Sequence, residues 1–244
     1  MKITYFVHDC FALEWGDRVF LFDYPEPRFH PPVMQELVRR TVADRQCIFC
    51  ISHSHPDHCS EEVLALGRLC RQATYIVADD VPEMLPAFDP AVLPGCHVLE
   101  PEQTAVIEEM TVQTLESTDL GVGYLLTWQG RRVWFGGDVA HWDWPLLDAA
   151  SRHFARQHFD AVLAALAAQP LHLAFANADP RLENFSGALA LLKEANPAYF
   201  VPMHAFGDPR RLRLFQDAAR GEGGRTADTC FCYEQPGDVW TIPD

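Results

Sequence analysis

Six consecutive residues, His53-Ser54-His55-Pro56-Asp57-His58, bring together three imidazoles and a carboxylate. His and Asp are seldom buried without partners, so packing does not account for such a run. Ligation of metal accounts for all four side chains at once, because imidazole nitrogen and carboxylate oxygen are the donors that divalent ions such as zinc take. Cys59 follows directly and reads as a neighbour of the cluster, not a ligand.

Ligands need rigid support, and the flanking residues predict it. Cys47-Ile48-Phe49-Cys50-Ile51-Ser52 has the length and composition of a buried strand, so the cluster begins where a strand ends. Ser60-Glu61-Glu62-Val63 opens a helix reaching about residue 71, with Ser60 as N-cap and acidic residues where the dipole favours them. Upstream, residues 3–7, 11–15 and 19–22 read as strands, the last two joined at Gly16-Asp17, and Asp23 ends the third. A helix over residues 32–43 carries Val33, Met34, Leu37 and Val38 as its apolar stripe. Residues 74–78 form another strand, and 81–95, with four prolines, form a loop with short helical turns. Weaker strand signals follow at 98–99, 105–107 and 111–115.

The second half echoes the first. Residues 123–128 and 131–135 make a hairpin across Gln129-Gly130 that closes on Gly136-Gly137-Asp138, as the first hairpin closes on Asp23. The strand before His53 has a parallel in Tyr199-Phe200-Val201-Pro202-Met203, which leads into His204. Helical stretches at 151–168 and 186–195 lie on either side of a strand-like 171–175. Two βα halves with chemistry-bearing residues at matching strand ends predict two sheets covered by helices and one site between them. The expected organisation is a single domain spanning 1–244, with halves at approximately 1–110 and 111–244.

Composition narrows the function. The chain has 244 residues, 48% hydrophobic and 22% charged, an ordinary balance for a soluble protein, and no uninterrupted apolar run long enough to span a bilayer. Met1-Lys2-Ile3-Thr4-Tyr5-Phe6-Val7 lacks the apolar core and cleavage site of a signal peptide, which makes a cytoplasmic location the default. A net charge of −15 counts against a broad nucleic-acid surface. Arg210, Arg211 and Arg213, the densest basic cluster, begin a helix after Pro209 and read as its solvated face. Of the eight cysteines, Cys47 and Cys50 have the spacing of a zinc knuckle but point to opposite faces of a strand, and Cys230 and Cys232 lack a second pair nearby. They read as free thiols.

The His53–His58 run matches the H-x-H-x-D-H signature, and the chain resembles the metallo-β-lactamase superfamily over nearly all of residues 2–208. Ile3-Thr4-Tyr5-Phe6-Val7-His8, Phe22-Asp23, Gly136-Gly137-Asp138 and Val201-Pro202-Met203-His204 fall in order where that family uses them. It looks most like the uncharacterised hydrolase branch near the ascorbate-phosphate lactonase-like proteins. The resemblance implies an α/β fold, an αββα four-layer sandwich of two pseudo-symmetric halves. It also implies two divalent metal ions, with zinc expected and manganese or iron compatible with the same donors. His53 and His55 would hold the first ion, Asp57 and His58 would turn towards the second, Asp138 would bridge them and His204 would complete the second site. Asp57 is expected to be catalytic as well as ligating. Such a pair, about 3.5–4 Å apart, lowers the pKa of a shared water towards 7 and supplies hydroxide without a nucleophilic side chain.

One departure from the family pattern stands out. Most members add a histidine before the strand that leads to the bridging aspartate, whereas this chain reads Glu116-Ser117-Thr118-Asp119-Leu120-Gly121. Asp119 is the natural substitute, and would tilt the first site towards manganese or iron. His97 lies too early for that position. His8 and Asp23 end strands and could orient the imidazoles from behind. His141, Trp142 and Trp144 follow Asp138 and could roof a pocket, while Asp179-Pro180-Arg181 offers Arg181 as a fixed cation for phosphate or carboxylate. The function expected is metal-dependent hydrolysis of a small-molecule ester: a phosphoester, phosphodiester or lactone. The alternatives are an RNA-processing nuclease of the same fold and a non-catalytic metal-binding protein.

Overall fold

The computed structural model describes residues 1–223 and 228–243, and among these no helix is long and apolar enough to cross a membrane. The chain separates into two compact units, Met1–Glu100 with Tyr233–Asp244, and Pro101–Cys232. In the first, β1 (Lys2–Val7), β2 (Cys10–Trp15) and β3 (Arg18–Phe22) form an antiparallel meander. Helix α1 (Met34–Val42) returns the chain to β4 (Gln46–Ile51), and α2 (Val63–Gly67) returns it to β5 (Gln72–Ala78). A short helix α3 (Asp80–Met84) and a proline-containing loop then lead to β6 (Cys96–Leu99). Strands β3, β4, β5 and β6 are mutually parallel.

The second unit repeats this plan. β7 (Thr104–Ile107), β8 (Met110–Glu116), β9 (Val122–Trp128) and β10 (Arg131–Phe135) run antiparallel. Helix α4 (Ala149–Ala167) crosses to β11 (Leu173–Asn177), and α5 (Ala188–Glu194) crosses to β12 (Tyr199–Met203), both parallel to β10. Helix α6 (Arg213–Gly223) follows, and β13 (Val239–Thr241) rejoins the first sheet beside β1. The orders are β13-β1-β2-β3-β4-β5-β6 and β12-β11-β10-β9-β8-β7. Two mixed sheets, each accompanied by helices, give the α/β class and the αββα architecture expected from the sequence.

Local sequence explains most elements. In β4 five of six residues are buried and in β11 all five are, which is why both read as unbroken apolar runs and not as alternating patterns. Gln129 and Gly130 both have positive φ, 48° and 73°, as the tight turn between β9 and β10 requires. Helix α1 buries Met34, Val38 and Val42 at successive turns, while Val33 is exposed at its start.

Three expectations need adjustment. Helix α2 is five residues long, far shorter than expected, because Val63, Leu64 and Ala65 bond three residues back and Leu69 and Cys70 do the same at the other end. The C-terminal strand β13 is an addition to the expected elements, since its three residues carry no periodic signal. The internal duplication is real in its hairpins but displaced in its histidines. β4 and β11 are each the first parallel strand after the meander, so the counterpart of the His53 strand is β11, and the His204 strand β12 corresponds to β5.

Candidate metal centre

Strands β1, β3 and β4 run in one direction, so their C-terminal ends deliver His8, Asp23 and the His53–His58 loop to the same end of the first sheet. Both His8 and Asp23 have positive φ, 48° and 38°, a region that costs a non-glycine residue about 1–2 kcal/mol. Asp23 is the hub. Its Oδ1 accepts from Ser52 N at 2.8 Å, and its Oδ2 accepts from Ser52 Oγ at 2.8 Å and from His58 Nδ1 at 2.7 Å. Burial pushes its carboxyl up, against the lowering effect of His58 and Ser52.

A carboxylate only accepts hydrogen bonds, so His58 carries its proton on Nδ1 and presents the Nε2 lone pair. Ser52 Oγ gives its only proton to Asp23, so it accepts from His53 Nδ1 at 2.9 Å, and His53 likewise presents Nε2. The rings of His53 and His58 stand 4.1 Å apart and those of His53 and His55 4.7 Å. His53 and His55 offer donor atoms within 4.8 Å of each other, as do His8 and His58, and Asp9 and His58. Asp57 Oδ2 lies 3.6 Å from His8 Nε2 and 4.0 Å from His58 Nε2. Burial alone would raise the Asp57 carboxyl, but His8 and His58 outweigh it and hold it well below the usual carboxylate range. Backbone bonds fix the loop: His58 N and Cys59 N both donate to His55 O at 2.9 Å, and Ser54 N donates to Asp80 Oδ2 at 2.8 Å.

In the second unit β8, β10, β11 and β12 share a direction, and their C-terminal ends carry the 117–119 turn, Asp138, Asp179 and His204. His204, at φ 66°, repeats the His58 arrangement: Nδ1 lies 3.1 Å from Asp179 Oδ2 and Nε2 lies 3.6 Å from Asp138 Oδ1. Asp179 is fully buried and also receives Arg181 N at 2.8 Å and Arg181 Nε at 2.9 Å. Burial acts to raise its carboxyl, and the bonds from His204 and Arg181 prevail and hold it well below the ordinary range. Trp142 Nε1 donates to Asp138 O at 3.2 Å, and its ring lies 5.0 Å from that of His204. Thr118 Oγ1 donates to Ala140 O at 2.7 Å and accepts from Ala140 N at 2.8 Å, tying the 117–119 turn to the Asp138 loop.

The remaining candidates have distinct surroundings. Asp119 is exposed and its N–H donates to Ser117 Oγ at 3.1 Å. His141 accepts at Nδ1 from Asn184 Nδ2 at 3.0 Å and stacks on Phe159. Arg181 is gripped by Asp179, with its guanidinium 4.2 Å from the Phe206 ring and 5.0 Å from that of Trp144. Sequence reasoning missed Ser52, Asp9 and the positioning role of Asp179. The signal available for Asp179 was its place three positions into an apolar strand's exit, Ala176-Asn177-Ala178-Asp179, the setting that also yields Asp23.

The first unit therefore supplies two buried imidazoles, His53 and His58, and the second supplies His204, each with Nδ1 held and Nε2 presented. This nitrogen-and-oxygen donor chemistry fits a divalent metal, and backing a ligating imidazole with a carboxylate is the usual way proteins orient it. A family model described as beta-lactamase superfamily domain matches residues 20–205. No curated protein matches the chain. Among solved structures, Igni18, a metallo hydrolase from the archaeon Ignicoccus hospitalis, is 17% identical with a TM-score of 0.66, over 100% of this chain and 98% of that one. The metallo-beta-lactamase fold protein YhfI from Bacillus subtilis is 16% identical with a TM-score of 0.63, over 98% of both chains. An isothiocyanate hydrolase from Delia radicum gut bacteria is 15% identical with a TM-score of 0.59, over 99% of both. At these identities the likeness is one of fold.

Proposed function

Because the chain belongs to the beta-lactamase superfamily, we propose that it is a metal-dependent hydrolase of small esters, whether phosphoester, phosphodiester or lactone, in the branch near the ascorbate-phosphate lactonase-like proteins. The proposed ligands of two divalent ions, zinc before manganese or iron, are His53, His55, Asp57, His58, Asp119, Asp138 and His204. The observation that carries the reading is the repeated arrangement at His58 and His204, each with Nδ1 held by a buried carboxylate and Nε2 facing another.

When bound, the ions supply the Lewis acidity that activates water and polarises the attacked carbonyl or phosphoryl group. The protein's own part is positioning. Asp23 holds His58 directly and His53 through Ser52, so one carboxylate fixes two imidazole tautomers. Asp57 stays ionised, and a carboxyl held so low suits ligation and orienting the attacking water at Oδ2 better than storing its proton. His8 stabilises that charge at 3.6 Å. Trp142 anchors the Asp138 main chain, and Arg181 lies where it could meet an anionic group.

The test is to strip the purified protein with chelator, reload it with zinc, manganese or iron, and assay phosphodiester and lactone reporters. Turnover with at least one metal, lost on His58→Ala and His204→Ala, is the expected result. Two bound ions with no turnover by any metal would overturn the hydrolase reading in favour of a non-catalytic metal-binding protein.

A further inference from the structure

The cysteines are not equivalent. Cys10, Cys50, Cys59 and Cys96 are buried, and burial pushes each of their thiols up. Cys232 is exposed. Cys47, at the start of β4, and Cys70, in the turn after α2, make a pair that the metal chemistry does not use. The backbone holds the two together: Asp44 N donates to Leu69 O at 3.0 Å and Arg71 N to Arg45 O at 2.9 Å. Residues on both sides of Cys70 are thus bonded to residues just before Cys47. The register continues into the sheet, where Gln46 pairs with Gln72 and Cys47 with Ala73. Each thiol donates to a backbone carbonyl at 3.4 Å, Cys47 to Val42 O and Cys70 to Leu66 O, and the two side chains are close enough to perturb each other.

Their exposure differs in a useful way. Cys47 is fully buried, whereas Cys70 is partly open to solvent. Their mutual interaction raises the Cys47 thiol and lowers the Cys70 thiol against the opposing effect of burial. A partly exposed thiol beside a fully buried one is the arrangement of an attacking and a resolving cysteine.

We propose that Cys47 and Cys70 are a thiol–disulfide exchange site for low-molecular-weight disulfides of the glutathione type. The Cys70 thiolate attacks one sulfur of the disulfide RSSR, the S–S bond breaks, and one RS⁻ leaves with a mixed disulfide formed on Cys70. Cys47 then gives up its proton and attacks the Cys70 sulfur, forming the Cys47–Cys70 bond and releasing the second thiolate. Two protein thiols are oxidised, RSSR is reduced to two RSH, and no other oxidant is needed. The new bond closes a covalent loop around the whole His53–His58 segment and α2. It lies at the N-terminal end of β4, away from the donors at the other end, so it should stiffen their support without displacing them.

The experiment treats the full chain, in a Cys232→Ser background that removes the exposed thiol, with oxidised glutathione, and reads intact mass and cross-linked peptides. The expected product is two hydrogens lighter, retains no glutathione, contains one Cys47–Cys70 peptide and unfolds at a higher temperature. Adding Cys47→Ser should trap one glutathione on Cys70, and adding Cys70→Ser should abolish both products. Without any further substitution, limiting iodoacetamide should alkylate Cys70 before the buried cysteines, which keeps the test alive if Cys47→Ser fails to fold. A glutathione adduct that persists with Cys47 present, a cross-link through another cysteine, or alkylation elsewhere first would overturn the proposal.

Discussion

Asp179→Asn is the sharpest probe of the positioning argument, because it keeps the shape of the side chain and removes only its charge and one acceptor. In the parent, Oδ1 accepts Arg181 N at 2.8 Å and Oδ2 accepts His204 Nδ1 at 3.1 Å. An asparagine can keep its oxygen at one position only. If the oxygen stays with Arg181 N, its NH2 group faces the His204 Nδ1–H, donor against donor; if it flips, the Arg181 bonds fail instead. A hydrogen bond to a charged group is worth about 1.5–3 kcal/mol. At about 1.4 kcal/mol per tenfold, releasing His204 from its tautomer should cost about 10–100-fold in affinity for the ion it holds. Competition against a chelating fluorophore measures this, and nitrogen-15 NMR of the imidazole reads the tautomer directly. Asp208→Asn, which disturbs the exposed pair with Arg210, is the control and should change neither readout. Affinity within about twofold of the parent, or an unaltered Nδ1-protonated ring, would refute the idea that Asp179 positions His204.

Asp23→Ala leaves His58 and Ser52 without their shared buried acceptor, and should cost about 1–3 kcal/mol of stability for each donor left unsatisfied, read in denaturant unfolding, as well as metal affinity. Gly187→Ala should destabilise by about 1–3 kcal/mol, since Gly187 has φ 86° and an added Cβ would overlap the Phe159 ring and sit 3.1 Å from His141 Cβ. Burial, with Arg156 nearby, lowers the His141 pKa, so the unfolded chain takes up that proton first. The contribution is intact above the unfolded value near 6.5 and is lost as pH falls through the lower folded value; His141→Asn should flatten that part of the stability–pH curve. Asp119→Ala should lower metal content at the first site, and unchanged occupancy of both sites would remove Asp119 from the ligand set.

How much of this was legible depended on how local the signal was. The His53–His58 donors are readable because they are contiguous, and β4 and β11 because burial on both faces writes unbroken apolar runs. The residues that hold the donors are not contiguous with them: Asp23 precedes His58, and Asp179 precedes His204, by a whole βα crossover or strand. A lone carboxylate at a strand exit looks like a turn residue until the partner strand is known, which is why the sequence points to Arg181 and not to Asp179 in that segment. The pairing of strands also changes how the duplication is understood. In the first unit the strand that leads into the histidine cluster is β4, and its neighbour β5 exits into Asp80, whose carboxylate receives Ser54 N of the His53–His58 loop. In the second unit the order is exchanged: β12 leads into His204, and its neighbour β11 exits into Asp179, which receives His204 Nδ1. Each half thus places histidine at the end of one parallel strand and, after the adjacent one, a carboxylate that braces it. Matching histidine to histidine along the sequence hides that exchange, and matching strand to strand explains why the second half needs Asp179.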